Sequence, residues 1–123
     1  MNTIMKPITD TLAALLSQVQ SALQQLSLED ERASLAVLDA KIAAPDFWND
    51  SDEAQRVSRE AAQLRDYING WSSLEDDLRT TLELAQMSDE AQEAEFTTQL
   101  KDLKRRTEAA LIAVKLSGEH DKL

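Results

Sequence analysis

Pro45-Asp46-Phe47-Trp48-Asn49-Asp50-Ser51-Asp52 is the stretch that decides the fold. Proline lacks the backbone donor and clashes with the preceding helical turn, so it cannot lie in a helix interior. It also pushes Ala44 away from helical angles, so a helix must end at or before that residue. Asn49, Asp50 and Ser51 are all good N-cap residues, and Glu53 stands three places after Asp50. Such a pair can satisfy the free amides of a new helix start reciprocally. One helix therefore stops here and another begins. Large aromatics in short corners usually bury, so Phe47 and Trp48 are expected to plug this corner into a core.

Working outward on the N-terminal side, residues 1–7 are expected to be frayed. An apolar stripe then runs Ile8, Leu12, Leu15, Val19, Leu23, Leu26, in steps of 4, 3, 4, 4 and 3. That is one buried face of a helix over about 8–26. A second stripe, Leu28, Leu35, Leu38, Ile42, belongs to a helix over about 28–44. Ser27, followed by acids in the first turn, reads as its cap, which favours two helices over one.

On the C-terminal side the longest stripe runs Ala54, Val57, Ala61, Leu64, Ile68, Trp71, Leu74, Leu78, Leu82, Ala85. Its steps of mostly three and four suit coiled-coil-like packing. Asn69-Gly70 alone would signal a turn. Ile68 and Trp71 nevertheless keep the stripe in phase across it, which predicts one helix over about 51–87, on the order of 55 Å long. Ser88 reads as the next cap. Phe96, Leu100, Leu103, Thr107, Ala110 and Val114 then mark a helix over about 89–116, closed by Ser117-Gly118. Asp52/Arg56, Glu75/Arg79 and Asp102/Arg106 are acid-before-base pairs four apart, each supporting an exposed face.

The expected architecture is all-α: an antiparallel up-and-down helical bundle. Two long helices form its spine and one or two shorter ones, two by the capping chemistry, precede them. No alternating apolar run reads as a strand. Residues 1–116 are expected to form one domain, and 117–123 an exit segment.

A net charge of −10 disfavours broad binding to a phosphate backbone, so little direct nucleic-acid binding is expected. With no cysteine there is no disulfide, thiolate metal site or thiol nucleophile. No apolar run approaches the ~20 residues of a membrane span. The apolar residues near the N-terminus are interrupted by Asp10, Ser17, Gln18 and Gln20, which argues against a signal peptide.

The 23 carboxylates fall at helix starts and on solvated faces, with no sign of a buried pair fit for acid–base work. His120, the single histidine, lies beyond the last helix, and one histidine does not make a metal site. No cofactor is expected. Lys101, Lys104, Arg105 and Arg106 are the one basic concentration. They read either as a solvated face balancing nearby acids or as a contact to RNA or an acidic partner. The acidity of the whole favours the first. The residues alone thus describe a non-catalytic helical module.

Three landmarks resemble a known family. Ala44-Pro45-Asp46-Phe47-Trp48-Asn49-Asp50, after Leu38-Asp39-Ala40-Lys41-Ile42, is similar to the corner that precedes the long helix in the bacterial peptide chain release factor 2 family. Leu82-Glu83-Leu84-Ala85 with Ser88-Asp89-Glu90 is similar to its second corner. Leu116-Ser117-Gly118-Glu119-His120-Asp121 is similar to its exit segment, with His120 in place of the usual Tyr. The resemblance covers about residues 28–121, and residues 1–27 match little.

It implies a cytoplasmic N-terminal helical domain acting in translation termination. Its partner would be the ribosome, through a stalk-base protein of the large subunit. The family's Gly-Gly-Gln and Ser-Pro-Phe tripeptides do not occur in this sequence. By the resemblance they belong to downstream domains, so no codon-reading or hydrolytic residue is expected here. A different reading is a stand-alone scaffold that self-associates, at least weakly, through its heptad-like stripes and the uncharged outer face of its first helix.

Overall fold

In a computed structural model, residues 5–116 are described. They form four helices and no strand: α1 (Lys6–Gln25), α2 (Leu28–Ile42), α3 (Ser51–Gln86) and α4 (Glu93–Leu116). The all-α helical bundle is therefore the observed fold, and 8–44 is two helices. The Ser117-Gly118 stop, the 117–123 exit segment and His120 lie outside the described residues.

Contacts divide the chain into two compact units. One is Leu23–Gly70; the other joins Met1–Ala22 to Trp71–Leu123. In the first, α2 and the leading half of α3 form an antiparallel hairpin. Its core is Leu38, Val57 and Ala61, with Leu35, Ile42, Phe47 and Leu64 packed against it. The half-exposed pair Arg65–Asp39 ties the same two helices together. In the second unit, α1 contributes Ile8, Leu12, Leu15, Val19 and Ala22, all buried. The trailing half of α3 contributes Trp71, Leu74, Leu78 and Ala85, and α4 contributes Phe96, Leu103 and Thr107.

These are the stripes read from the sequence. Every expected α3 position is buried or half-buried. Among the described residues Thr107 is the one polar residue that is buried, and its hydroxyl donates to the Leu103 carbonyl at 2.8 Å. That bond removes the cost of burying an unpaired hydroxyl.

α3 is unbroken through Asn69-Gly70. A Cβ built on Gly70 would meet nothing within 4 Å, so no close approach requires glycine there. Phase, not the local Asn-Gly turn signal, decides the structure at this point.

The helix ends depart from expectation in three places. α1 begins at Lys6 and Met5 is buried, so the chain is ordered earlier than residue 8. Pro7 suits a first helical turn, where its missing amide would have no partner anyway. Ser27 does not cap α2 with its side chain. It takes a left-handed conformation, φ 52° and ψ 54°, and its carbonyl accepts from the Asp30 and Glu31 amides. The tight α1–α2 corner requires that conformation, although serine adopts it less readily than glycine. Finally, the Ser88 hydroxyl donates back to the Leu84 carbonyl at 2.6 Å, closing α3. Asp89 is the cap instead, accepting from the Ala91 amide at 3.0 Å ahead of a short 3-10 turn, Glu90–Gln92.

Candidate functional site

The corner between α2 and α3 forms as the sequence dictates. α2 ends at Ile42, and the Ala43 and Ala44 amides fold back onto the Asp39 and Lys41 carbonyls. A 3-10 turn, Phe47–Asn49, follows Pro45. Asp50 then caps α3: its carboxylate accepts from the Glu53 amide at 3.1 Å and its carbonyl from the Ala54 amide at 2.9 Å. Only half of the expected reciprocal box is made, because the Glu53 carboxylate turns to Arg56 at 2.7 Å.

The two aromatics part company here. Phe47 is half-buried and packs on the Leu38, Val57, Ala61 cluster. Trp48 is not the second core plug expected of it, since 62% of its surface is exposed. Neighbouring side chains in a 3-10 turn point about 120° apart, so one aromatic can enter the core while the next leaves it. The rings still touch edge to face, with centroids 5.0 Å apart and planes at 83°.

Ion pairing near the corner also differs from the spacing rule. Arg56 bonds Glu53 and Glu60 at 2.7 and 3.0 Å, in place of Asp52. The Arg56 hydrogen bond holds the Glu53 carboxyl below its ordinary value, and Glu53 raises Arg56 in turn.

The basic cluster on α4 does not act as one group. Arg106 reaches across to Asp77 on α3 at 2.9 Å, with Asp102 a distant 3.8 Å. Arg105 pairs with Asp102 at 2.6 Å. Lys101 and Lys104 are exposed. At about 100° per residue, Lys101, Lys104 and Arg105 share one face and Arg106 lies well round from it. Arg106 is thus a strut between two helices. The sequence signal for this was available: Asp77 and Arg106 both border the apolar stripes. Of the three expected i,i+4 pairs, Glu75–Arg79 forms as read, at 3.0 Å, Asp102–Arg106 forms at 3.8 Å, and Asp52 gives way to Glu53 and Glu60 at Arg56.

Among the described residues, no group of three or more His, Asp or Glu side chains is placed to hold a metal ion. No described helix is long and apolar enough to cross a membrane.

Comparison with known proteins identifies the family. The PCRF domain model matches residues 31–123, well over half of the chain. Peptide chain release factor 2 of Phenylobacterium zucineum (strain HLK1) is 40% identical over 88 residues, covering 68% of this chain and 24% of that protein. The Streptomyces avermitilis protein of the same name is 30% identical over 118 residues, covering 93% of this chain and 32% of the relative. That of Clostridium perfringens (strain SM101) is 31% identical over 110 residues, covering 87% and 29%. The chain thus spans about a quarter to a third of the length of these relatives. The Streptomyces alignment covers 93% of the chain and so extends into residues 1–27, which the three landmarks do not reach. No solved structure matches at a significant level. The Pro45 corner, the long α3 and the acidic second corner at Ser88-Asp89-Glu90 therefore lie in a chain that belongs to the PCRF domain family, with its similarity there to peptide chain release factor 2.

Proposed function

We propose that this chain is the ribosome-interaction domain of a release factor 2-like protein, acting in stop-codon-dependent translation termination. The observation that carries the reading is the PCRF match over residues 31–123, together with relatives named peptide chain release factor 2. The domain binds and positions, and it neither reads codons nor hydrolyses peptidyl-tRNA. Residues 1–116 act as one module, the segment 117–123 leads towards downstream domains, and the whole works in the cytoplasm.

Its partner on the ribosome is a protein of the large-subunit stalk base. The charge of −10 supports a basic protein surface over exposed RNA as the direct contact. Lys101, Lys104 and Arg105 are a subsidiary contact at most, and Arg106 is committed to Asp77. The self-associating scaffold has less support, because the α1 stripe, one of the surfaces it would use, is buried within the chain.

Sedimentation through a sucrose cushion tests the reading. The purified 123-residue chain should pellet with large ribosomal subunits and leave the small subunits bare. A chain that stays in the supernatant with both, and runs as a tight dimer by light scattering, contradicts it.

A further inference from the structure

We propose that the 44–50 corner is a docking site for a basic segment of a partner protein, with an arginine or lysine side chain lying on the exposed Trp48 ring. Trp48 is the one large aromatic of the corner that the fold does not use. Phe47 supplies the packing, and Asp50 supplies the cap of α3. Trp48 leaves 62% of its surface exposed while its ring is held edge to face against Phe47. The result is a rigid aromatic presented on a short, well-anchored turn. Aromatic side chains of this kind are the usual energetic anchors of protein interfaces, since little entropy is lost on ordering them.

Charge selects the occupant. Residues 43–55 carry Asp46, Asp50, Asp52 and Glu53 and no basic side chain, and with the flanking Lys41 and Arg56 counted the corner still has a net charge of −2. Glu53 is taken by Arg56, but Asp46, Asp50 and Asp52 have no cationic partner among the described residues. All three are exposed. This field repels nucleic acid, an anionic membrane surface and a second copy of the same corner. It attracts a cationic side chain, which can also stack on the indole face, the best of the aromatic partners for a cation. Arginine fits best, because its planar, weakly hydrated guanidinium both stacks and bonds carboxylates. The proposal stands on the corner alone and does not require the partner to be ribosomal.

The test is fluorescence polarisation of a dye-labelled peptide of alternating arginine and glycine, titrated with the full chain at physiological salt. Trp48→Ala should weaken binding by at least about fivefold. Trp48→Phe should restore most of it, and Asp46→Asn should weaken it without touching the aromatic. Glu83→Gln, an equal charge change at an exposed position on the trailing half of α3, should leave it unchanged. Far-UV circular dichroism checks that each variant is folded. Absence of binding overturns the proposal. So does equal binding by wild type and Trp48→Ala, or an equal loss in Glu83→Gln, which would make the attraction a property of net charge only. A dimer of the free chain that Trp48→Ala dissolves overturns it as well, by making a second copy the occupant.

Discussion

Arg65 on α3 donates from one guanidinium nitrogen to both carboxylate oxygens of Asp39 on α2, at 2.6 and 2.8 Å, across 26 positions of sequence. Both side chains are 45% exposed. Water therefore screens the pair, and exposed pairs contribute at most about 1 kcal/mol. The pair fixes how the α2–α3 hairpin closes, while the apolar cluster beside it supplies most of the stability. Asp39→Asn and Arg65→Gln should each lower stability by less than about 1 kcal/mol, with a double-mutant cycle recovering most of that as coupling. The coupling should shrink in high salt. Urea unfolding at two ionic strengths measures it.

Phe47 and Trp48 make a sharper contrast. Phe47→Ala removes a ring packed on Leu38, Val57 and Ala61, and should cost about 2–3 kcal/mol, below the range for fully buried aromatics because Phe47 is only half-buried. Trp48→Ala should cost less than about 1 kcal/mol, as surface changes do. Chemical denaturation of the two variants decides which aromatic holds the corner, and the reverse order would show that the assignment is wrong.

Gly70 is a glycine in the middle of a 36-residue helix with open space where a side chain would stand. Glycine in a helix interior costs about 1 kcal/mol against alanine, largely through the freedom of the unfolded chain. Gly70→Ala should raise stability by about 0.5–1 kcal/mol and the melting temperature by a few degrees. A loss of stability in thermal unfolding would mean that α3 needs glycine for some other conformation.

Glu53 titrates below its ordinary value of 4.5 because Arg56 hydrogen-bonds its carboxylate. The lowered value belongs to the folded state, so the fold is favoured when Glu53 is ionised. That contribution is fully present above the ordinary value and is lost as pH falls through the lowered one. Arg56→Gln should return the Glu53 midpoint towards 4.5, read from its side-chain carbon shift in an NMR pH titration.

Most of the fold was legible because helical burial repeats. Ile8 to Val19, Ala54 to Ala85 and Phe96 to Thr107 are buried or half-buried where a 3.6-residue period puts them. Proline chemistry located the end of α2 for an equally local reason. What the sequence withheld depends on three-dimensional choices between near-equal local options. Phe47 and Trp48 are both large and adjacent, and only the path of the turn decides which enters the core. Ser27 looks like a side-chain cap, but the tight connection demands a left-handed backbone there instead. Arg56 has acids at 52, 53 and 60 within reach, and helix geometry lets it hold the last two. The four basic residues at 101–106 are neighbours in sequence but not on one face. That is why Arg106 bonds Asp77 while Lys101 and Lys104 stay exposed.

Competition on the ribosome tests the central claim most directly. Purified chain is added in increasing amounts to stop-codon-programmed ribosomes with a fixed, limiting amount of complete release factor 2, and peptide release is timed. The chain alone should release no peptide, yet it should slow release by the complete factor in a saturable way, as a domain occupying the same surface must. Release by the chain alone, or undiminished release at a large excess of chain, would contradict its assignment as a binding domain without a catalytic part.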